Sequence, residues 1–501
     1  MPMVLLLLIV MLTACASPPQ YLTGRGSDTQ RARVSATRPT LDEELINKAR
    51  VAECKGITDL DSDAANDSYF KVQARWRLLN CVHGDTQKPR KLVVLLDGTA
   101  NDKNDSTNIW QLYNMALIRS LTEPDKGGSR IIAYYDKGVG TSPITPISGA
   151  AFGNGVSINI RQAYRFLVEA YRPGDQIYLF GFSRGAFTAR SLNGFIEFAG
   201  LATFDSLKAD GLDNTVLLGW AGHMHNVVKD MYDLYHVKNT GDPWFYEHLR
   251  TTLFKYRKAN GIDAHGIDDN GHAIAGKQVQ VKVIGVFDTV PAVGWGLDED
   301  PDGHRLELYA QAGYQAMSLD EQRAAFRLLR FGVPQTSSQK LEEVWFAGVH
   351  ADVGGGYLNK DNLAGCGKSP YGESPDGAVG LEATAQRWML EKLKPEQLFP
   401  DTPWPPACVA AHLHDEYFDA PSVLSWFYKN AGLLRRKPVE MDRMDASVYQ
   451  RMALTKLPAP HKARELGGRY QPVNIGQEPW CMFRTVGTEQ KTAPCADHRQ
   501  P

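Results

Sequence analysis

Apolar residues in this chain come in short unbroken runs separated by longer stretches of helical spacing. Lys91-Leu92-Val93-Val94-Leu95-Leu96 is one such run, stopped by Asp97-Gly98-Thr99. A run of that length without polar alternation predicts a strand buried on both faces of a parallel sheet. Arg130 to Tyr135, Gln176 to Phe180, Val279 to Phe287 and Glu343 to Ala347 predict further strands. Between them, Ile158, Ala163, Phe166 and Leu167 recur at helical spacing within Val156 to Tyr171, and Arg184 to Phe198 predicts a second helix. Strand, helix, strand in this order predicts an α/β fold, a mostly parallel sheet with helices on both faces. The interval from Phe180 to Val279 is about a hundred residues, far more than one crossover needs. Its two amphipathic stretches, Val216 to Tyr235 and Trp244 to Lys258, predict a helical insertion over residues 201–278. Trp244, Phe245 and Tyr246 open the second stretch, and the expectation is a membrane-facing lid above the site. The alternative is that the same stripe packs onto the core.

The amino terminus has a different texture. Val4 to Leu12 is apolar and too short to span a bilayer, and Leu12-Thr13-Ala14-Cys15 resembles a bacterial lipobox. This predicts a signal peptide over residues 1–14 and lipidation of Cys15. Ala16 and Ser17 follow the cysteine, with no aspartate, which favours the outer membrane of a Gram-negative envelope or its periplasmic face. Residues 15–88 read as a tether followed by a helical segment near Leu41 to Cys54. With Cys15 set aside, Cys54, Cys81, Cys366, Cys408, Cys481 and Cys495 remain, an even number that suits disulfides in an exported chain. Short loops favour Cys54 with Cys81 and Cys481 with Cys495, leaving Cys366 with Cys408; buried free thiols are the alternative.

Charge adds an exclusion. Lys and Arg total 55 against 57 Asp and Glu, and no long basic run occurs, so nothing marks a nucleic-acid binder. No CxxC pair occurs, so no structural zinc is expected. Asp97, Asp136 and Asp352 are read as strand-end caps rather than a cation site, and neither a metal nor a cofactor is expected.

The chemistry centres on Gly181-Phe182-Ser183-Arg184-Gly185, which follows a predicted strand and opens a predicted helix. That is the setting of a nucleophile elbow, where a sharp turn exposes a serine hydroxyl at the end of a strand. The Arg184 N–H at the helix start can stabilise an oxyanion. A nucleophilic serine needs a base, and the base needs an acid to hold its tautomer. Asp288 ends the run Val283-Ile284-Gly285-Val286-Phe287, and His350 lies just past Val344-Trp345-Phe346-Ala347 and before Gly354-Gly355-Gly356. Alone, Asp288 reads as a turn cap and His350 as a loop histidine. Together, in the order serine, acid, histidine and each at a strand end, they read as a triad. Gly98 and Thr99 are the candidates for the second oxyanion donor, against the alternative of a plain strand-end turn.

Several blocks then resemble one family. They are Leu96-Asp97-Gly98-Thr99, Tyr134-Tyr135-Asp136-Lys137-Gly138-Val139-Gly140-Thr141, Gly181 to Ala186, Gly285 to Val290, Leu319-Asp320-Glu321-Gln322-Arg323 and Trp345 to Tyr357. The sequence is similar to the catalytic domain of type VI secretion phospholipase effectors of the first lipase-effector family. The resemblance covers about residues 91 to 360 and arguably Arg387-Trp388-Met389. It implies an α/β-hydrolase fold over residues 89–360, a triad of Ser183, Asp288 and His350, and membrane phospholipid as substrate. Residues 361–501 are then an extension expected to pack on the core. An injected effector needs no secretory signal, so the lipobox also allows a resident envelope lipoprotein. An inactive binding or scaffolding lipoprotein and an esterase for small soluble esters are the rival expectations. Protein partners are not indicated.

Overall fold

The computed structural model describes residues 89–98, 101, 106–122, 130–138, 149–203, 214–237, 242, 244–268, 272, 274, 277–291, 305–357, 379–401, 408–415, 417, 432–439, 442–454, 465–466, 469–470, 472, 474–475 and 484–486. The signal peptide, Cys15, the tether and the helix expected at Leu41 to Cys54 lie outside them.

The strands are β1 (Lys91–Leu96), β2 (Ile131–Asp136), β3 (Gln176–Phe182), β4 (Leu201–Thr203), β5 (Asp263–His265), β6 (Gln280–Phe287), β7 (Ala312–Ser318), β8 (Lys340–Phe346), β9 (Arg443–Asp445), β10 (Glu465–Leu466), β11 (Arg469–Tyr470) and β12 (Arg484–Val486). The helices are α1 (Asn108–Thr122), α2 (Gly149–Ala170), α3 (Arg184–Ala199), α4 (Asn214–Tyr235), α5 (Phe245–Ala259), α6 (His350–Gly354), α7 (Glu382–Leu393) and α8 (Ala446–Met452).

Among the described residues the main sheet has eight strands in the order β12-β9-β8-β7-β6-β3-β1-β2, and every pairing in it is parallel. Side-chain alternation sorts the core onto its two faces. Leu92, Val94 and Leu96 of β1 pack with Ile160, Leu167, Leu192 and Phe195 from α2 and α3. Val93 and Leu95 pack on the other side with Leu112, Met115 and Trp388 from α1 and α7. This is the expected α/β class with helices on both faces. From β1 the chain runs outward to β2, then returns past β1 to β3 and continues the other way. The crevice where that order reverses, at the carboxyl ends of β1 and β3, is where such sheets hold ligands.

β7 lacks the apolar run that marks the others. Its Gly313 faces Leu308 and Leu341, where a side chain would have no room, and its buried Gln315 donates to Glu343 Oε1 (2.7 Å) and the Leu329 carbonyl (3.1 Å). A satisfied amide therefore occupies what the sequence pattern would reserve for an aliphatic.

The insertion is helical as expected, but its second helix lies away from the site. Arg250 of α5 donates to Glu197 Oε1 at 2.6 Å, and Arg305 stacks on Tyr246 (3.9 Å) and Phe198 (4.4 Å). Glu197 and Phe198 belong to the last turn of α3, whose 16 residues carry it about 24 Å from Ser183. The expected lid over the active site is therefore corrected: this end of α5 stands beside the amino edge of the sheet. Its apolar stripe reaches inward only through Leu253, with Leu249 and Tyr256 packed partly against the core.

Beyond α7, Met444, Val448, Tyr470 and Ile475 form a third apolar cluster with Met317 and Trp345. Cys408 in this cluster is disulfide-bonded. The remaining cysteines, its partner among them, lie outside the described residues. No helix among the described residues is long and apolar enough to cross a membrane.

Candidate active site

Ser183 sits between the end of β3 and the start of α3 at φ 60°, ψ −125°, left-handed backbone that a serine adopts only under constraint. The constraint comes from both sides. The Ser183 N–H donates to the Phe287 carbonyl at 3.0 Å, prolonging the β3–β6 ladder through the turn. Gly185 lies so close to β1 that a Cβ there would be 2.2 Å from the Leu96 carbonyl oxygen, so only glycine lets α3 start where it does.

β6 repeats the device. Phe182 pairs in register with Phe287, so Asp288 follows β6 level with Ser183 after β3, and Asp288 too has positive φ, 46°. Its N–H donates to the Ala316 carbonyl at 2.7 Å. The side chain is fully buried and accepts hydrogen bonds from His350 Nδ1 (2.5 Å), Ser318 N (2.8 Å) and Ser318 Oγ (2.9 Å). On the far side, Arg436 grips both oxygens, Nη1 to Oδ1 at 2.5 Å and Nη2 to Oδ2 at 3.0 Å. Burial alone would push this carboxyl up; the Arg436 charge and the His350 hydrogen bond outweigh it and hold Asp288 well below the usual carboxylate range.

His350 opens α6, which is fastened at its start by Asp352 Oδ2 accepting from Val349 N at 3.1 Å. The imidazole packs between the rings of Phe182 (4.7 Å between centroids) and Phe326 (4.9 Å). Gly354 gives Phe182 its place: a Cβ there would come within 2.0 Å of the ring. Burial lowers the pKa of His350, opposed by the Asp288 hydrogen bond and charge, so the neutral imidazole is favoured. With Asp288 accepting from Nδ1–H, Nε2 is the basic nitrogen, and it is buried without a hydrogen-bond partner. The expected pairing of Asp288 with His350 is therefore present. Ser183 lies on the neighbouring strand end, next to the Phe182 that covers the imidazole, but its hydroxyl does not hydrogen-bond Nε2 in this state.

Around this pair, Glu321 accepts from Arg323 Nε (2.9 Å) and Nη2 (2.7 Å) and from the His350 N–H (3.3 Å). Despite its burial, Arg323 brings the Glu321 carboxyl down to about 2. Asp320 accepts from Gly348 N (2.8 Å) and Tyr470 OH (2.6 Å), so the C-terminal extension also braces the turn before His350.

The oxyanion candidates separate. The Arg184 N–H stands at the amino end of α3, among the donors that have no intrahelical acceptor. Gly98 does not fit the role expected for it. Its N–H donates to Asp97 Oδ1 at 2.7 Å, and Asp97 is in turn buried and bonded to Thr107 Oγ1 (2.7 Å) and Tyr135 OH (2.8 Å). Thr99 lies outside the described residues. Among the described residues no cluster of three His, Cys, Asp or Glu side chains is disposed to hold a metal. Arg436 went unread in the sequence, because Arg435-Arg436-Lys437 looks like a solvated basic run; Arg435 and Lys437 are indeed exposed.

The sequence of residues 90–392 matches the family described as T6SS, phospholipase effector Tle1-like, catalytic domain. The chain belongs to that family. The chain is also 28% identical over 260 residues to the uncharacterized protein YEL023C of Saccharomyces cerevisiae, covering 48% of this chain and 33% of the yeast protein. Two solved structures are similar. One is an uncharacterized protein from Pseudomonas aeruginosa, with 17% identity, TM-score 0.31, and 66% of this chain and 49% of that chain covered. The other is the Tle1 effector bound to the VgrG spike of the type 6 secretion system, with 19% identity, TM-score 0.24, and 56% and 55% covered. The chain thus spans a third of the curated relative's length and about half of each structure's. In this Tle1-like chain the matched span holds Ser183, Asp288 and His350 and ends before Arg436.

Proposed function

We propose that this chain is a serine hydrolase that cleaves the carboxylic esters of membrane phospholipids. The observation that carries the reading is the buried Asp288–His350 pair at the same strand-end level as the constrained Ser183 turn. Backbone strain and buried charge cost stability, and they gather where a mechanism uses them. Membership of a phospholipase-effector family supports the lipid class.

In the mechanism, Ser183 Oγ attacks the ester carbonyl while His350 Nε2 takes its proton. Asp288 holds the ring through Nδ1 and stabilises the imidazolium. The Arg184 N–H and the dipole of α3 meet the developing oxyanion. The imidazolium then protonates the departing alcohol. Water repeats the sequence on the acyl-enzyme, releasing the fatty acid and restoring Ser183. For its place in the cell we propose the envelope, with Cys15 as the lipid-bearing residue and the outer membrane or its periplasmic face as the site. The disulfide at Cys408 supports an oxidising compartment.

The test is mass spectrometry of phospholipid vesicles incubated with the protein and with Ser183→Ala. Free fatty acid and lysophospholipid are expected from the wild type alone. Equal product from both would end the catalytic reading and favour a binding or scaffolding lipoprotein. Hydrolysis of a short soluble ester with vesicles left intact would end the phospholipid assignment.

A further inference from the structure

We propose that Arg436 is a positioning residue of this active site, so that the segment 432–439, outside the matched catalytic domain, completes the catalytic apparatus. The proposal rests on the hydrolase reading above and deepens it.

The segment is fixed alongside the turn that follows β7. Ala324 N donates to the Gly432 carbonyl at 3.1 Å, Leu434 N donates to the Gln322 carbonyl at 2.8 Å, and Arg323 and Leu433 form an antiparallel bridge. Leu433, Leu434, Arg435, Lys437 and Val439 point to solvent, and Arg436 alone among these neighbours turns inward. Its guanidinium meets Asp288, the Ser318 carbonyl (3.1 Å), Ser318 Oγ (2.5 Å) and the Phe326 carbonyl (2.6 Å). Each contact bears on the imidazole. The fork sets the plane of the carboxylate that holds Nδ1. Ser318 Oγ accepts from Arg436 and donates to Asp288 Oδ2. Phe326, held through its carbonyl, lays its ring against His350. A planar two-pronged donor does this where a lysine ammonium cannot.

The arrangement also sets the charge around the base. His350 faces Asp288 from β6, Glu321 and Arg323 from the turn after β7, and Arg436 behind Asp288; Asp352 on its own helix is paired with His414 at 2.6 Å. Asp288 and Glu321 are thus balanced by Arg436 and Arg323. Removing the Arg436 charge leaves a net negative surrounding, which favours imidazolium and disarms the base at a higher pH.

The experiment follows the rate at which a fluorophosphonate labels Ser183 as a function of pH, a readout of nucleophile activation that needs no lipid. With R436Q, labelling at neutral pH is expected to fall by about a hundredfold, and the acid limb of the profile to move up by about one pH unit. R436K should keep the wild-type limb with an intermediate rate, and millimolar guanidinium should restore part of the rate to R436A. A uniform loss with the limb unmoved would make Arg436 merely structural and overturn the proposal. Should R436Q fail to fold by circular dichroism, R436K decides, and a rate equal to wild type overturns the need for the fork. A wild type that is never labelled overturns the hydrolase reading and this proposal together, whereas a labelled wild type with an unshifted R436Q overturns this proposal alone.

Discussion

The active-site turns and helix α5 of the insertion draw on similar residues and treat them in opposite ways. At the carboxyl edge, Asp288, Asp320, Glu321 and His350 are buried, each tied to named donors or acceptors. On α5 only Leu253 and Arg257 are buried, while Trp244 before it is 67% exposed and Tyr246 within it 45%. His248 and Asp242 pair there at 2.9 Å in the open. A charge left in water is nearly free of consequence; a buried one must be matched or it destabilises the fold by several kcal/mol. Dense, matched burial therefore marks where the molecule invests in geometry, and exposed aromatics alone do not mark a site.

The comparison breaks first at the proposed triad. Ser183→Ala, His350→Ala and Asp288→Asn should each lower ester hydrolysis by about three orders of magnitude or more, and a double variant should be little worse than a single one, since the residues act as a unit. Steady-state kinetics on a soluble ester would check this, and additive losses would show that the residues do not cooperate.

The three proposed members were legible because each follows a local apolar run: Gln176 to Phe180 before the elbow of Ser183, Val283 to Phe287 before Asp288, Val344 to Ala347 before His350. The parallel sheet was legible for the same reason. Arg436 was not, because its partner lies 148 residues away and its neighbours give a surface pattern. β7 was hidden by Gly313 and Gln315, whose presence only the packing around them explains. The helix beginning at Phe245 was read correctly as a helix and misplaced as a lid. Amphipathic spacing tells which side of a helix faces inward, not which edge of the sheet it stands beside.

Glu321 sharpens the contrast through pH. Its folded pKa, about 2, lies below its ordinary 4.5, so between these values the unfolded chain binds more protons. Its contribution is complete above pH 4.5 and is lost as pH falls toward 2. Glu321→Gln leaves Arg323 buried opposite a neutral amide and should cost about 3 kcal/mol at neutral pH. Thermal unfolding across pH should show the gap to wild type closing as pH falls through that window. A gap that stays constant would place the loss in packing instead of charge.

Gly354 tests the geometry more gently. In Gly354→Ala the added methyl meets the Phe182 ring and must displace it. Overpacking of this kind costs about 1–3 kcal/mol. Because Phe182 also lies against His350, turnover should fall more than stability alone accounts for. Denaturant midpoints and kcat measured on the same preparation separate the two effects, and an unchanged kcat would mean that the ring does not position the imidazole.

The smallest effect is expected at Trp244. Its side chain stands largely in water, and its backbone N–H donates to Asp242 Oδ1 at 2.8 Å, a bond that any residue but proline can make. Trp244→Ser should therefore change stability by less than about 0.5 kcal/mol. The functional side is the more telling. An aromatic ring suits a bilayer interface, and placed above Ser183 it would help draw lipid into the site. The helix it precedes is tied instead, through Arg250 and Tyr246, to the last turn of α3, about 24 Å of helix from the nucleophile. A membrane approached by the carboxyl edge of the sheet would then not meet it. Hydrolysis of vesicle phospholipid and of a short soluble ester should both be unchanged in the variant. A loss confined to vesicles would mean that the amino edge, with α5, also touches the bilayer, and the orientation drawn from the active-site turns would have to be turned about.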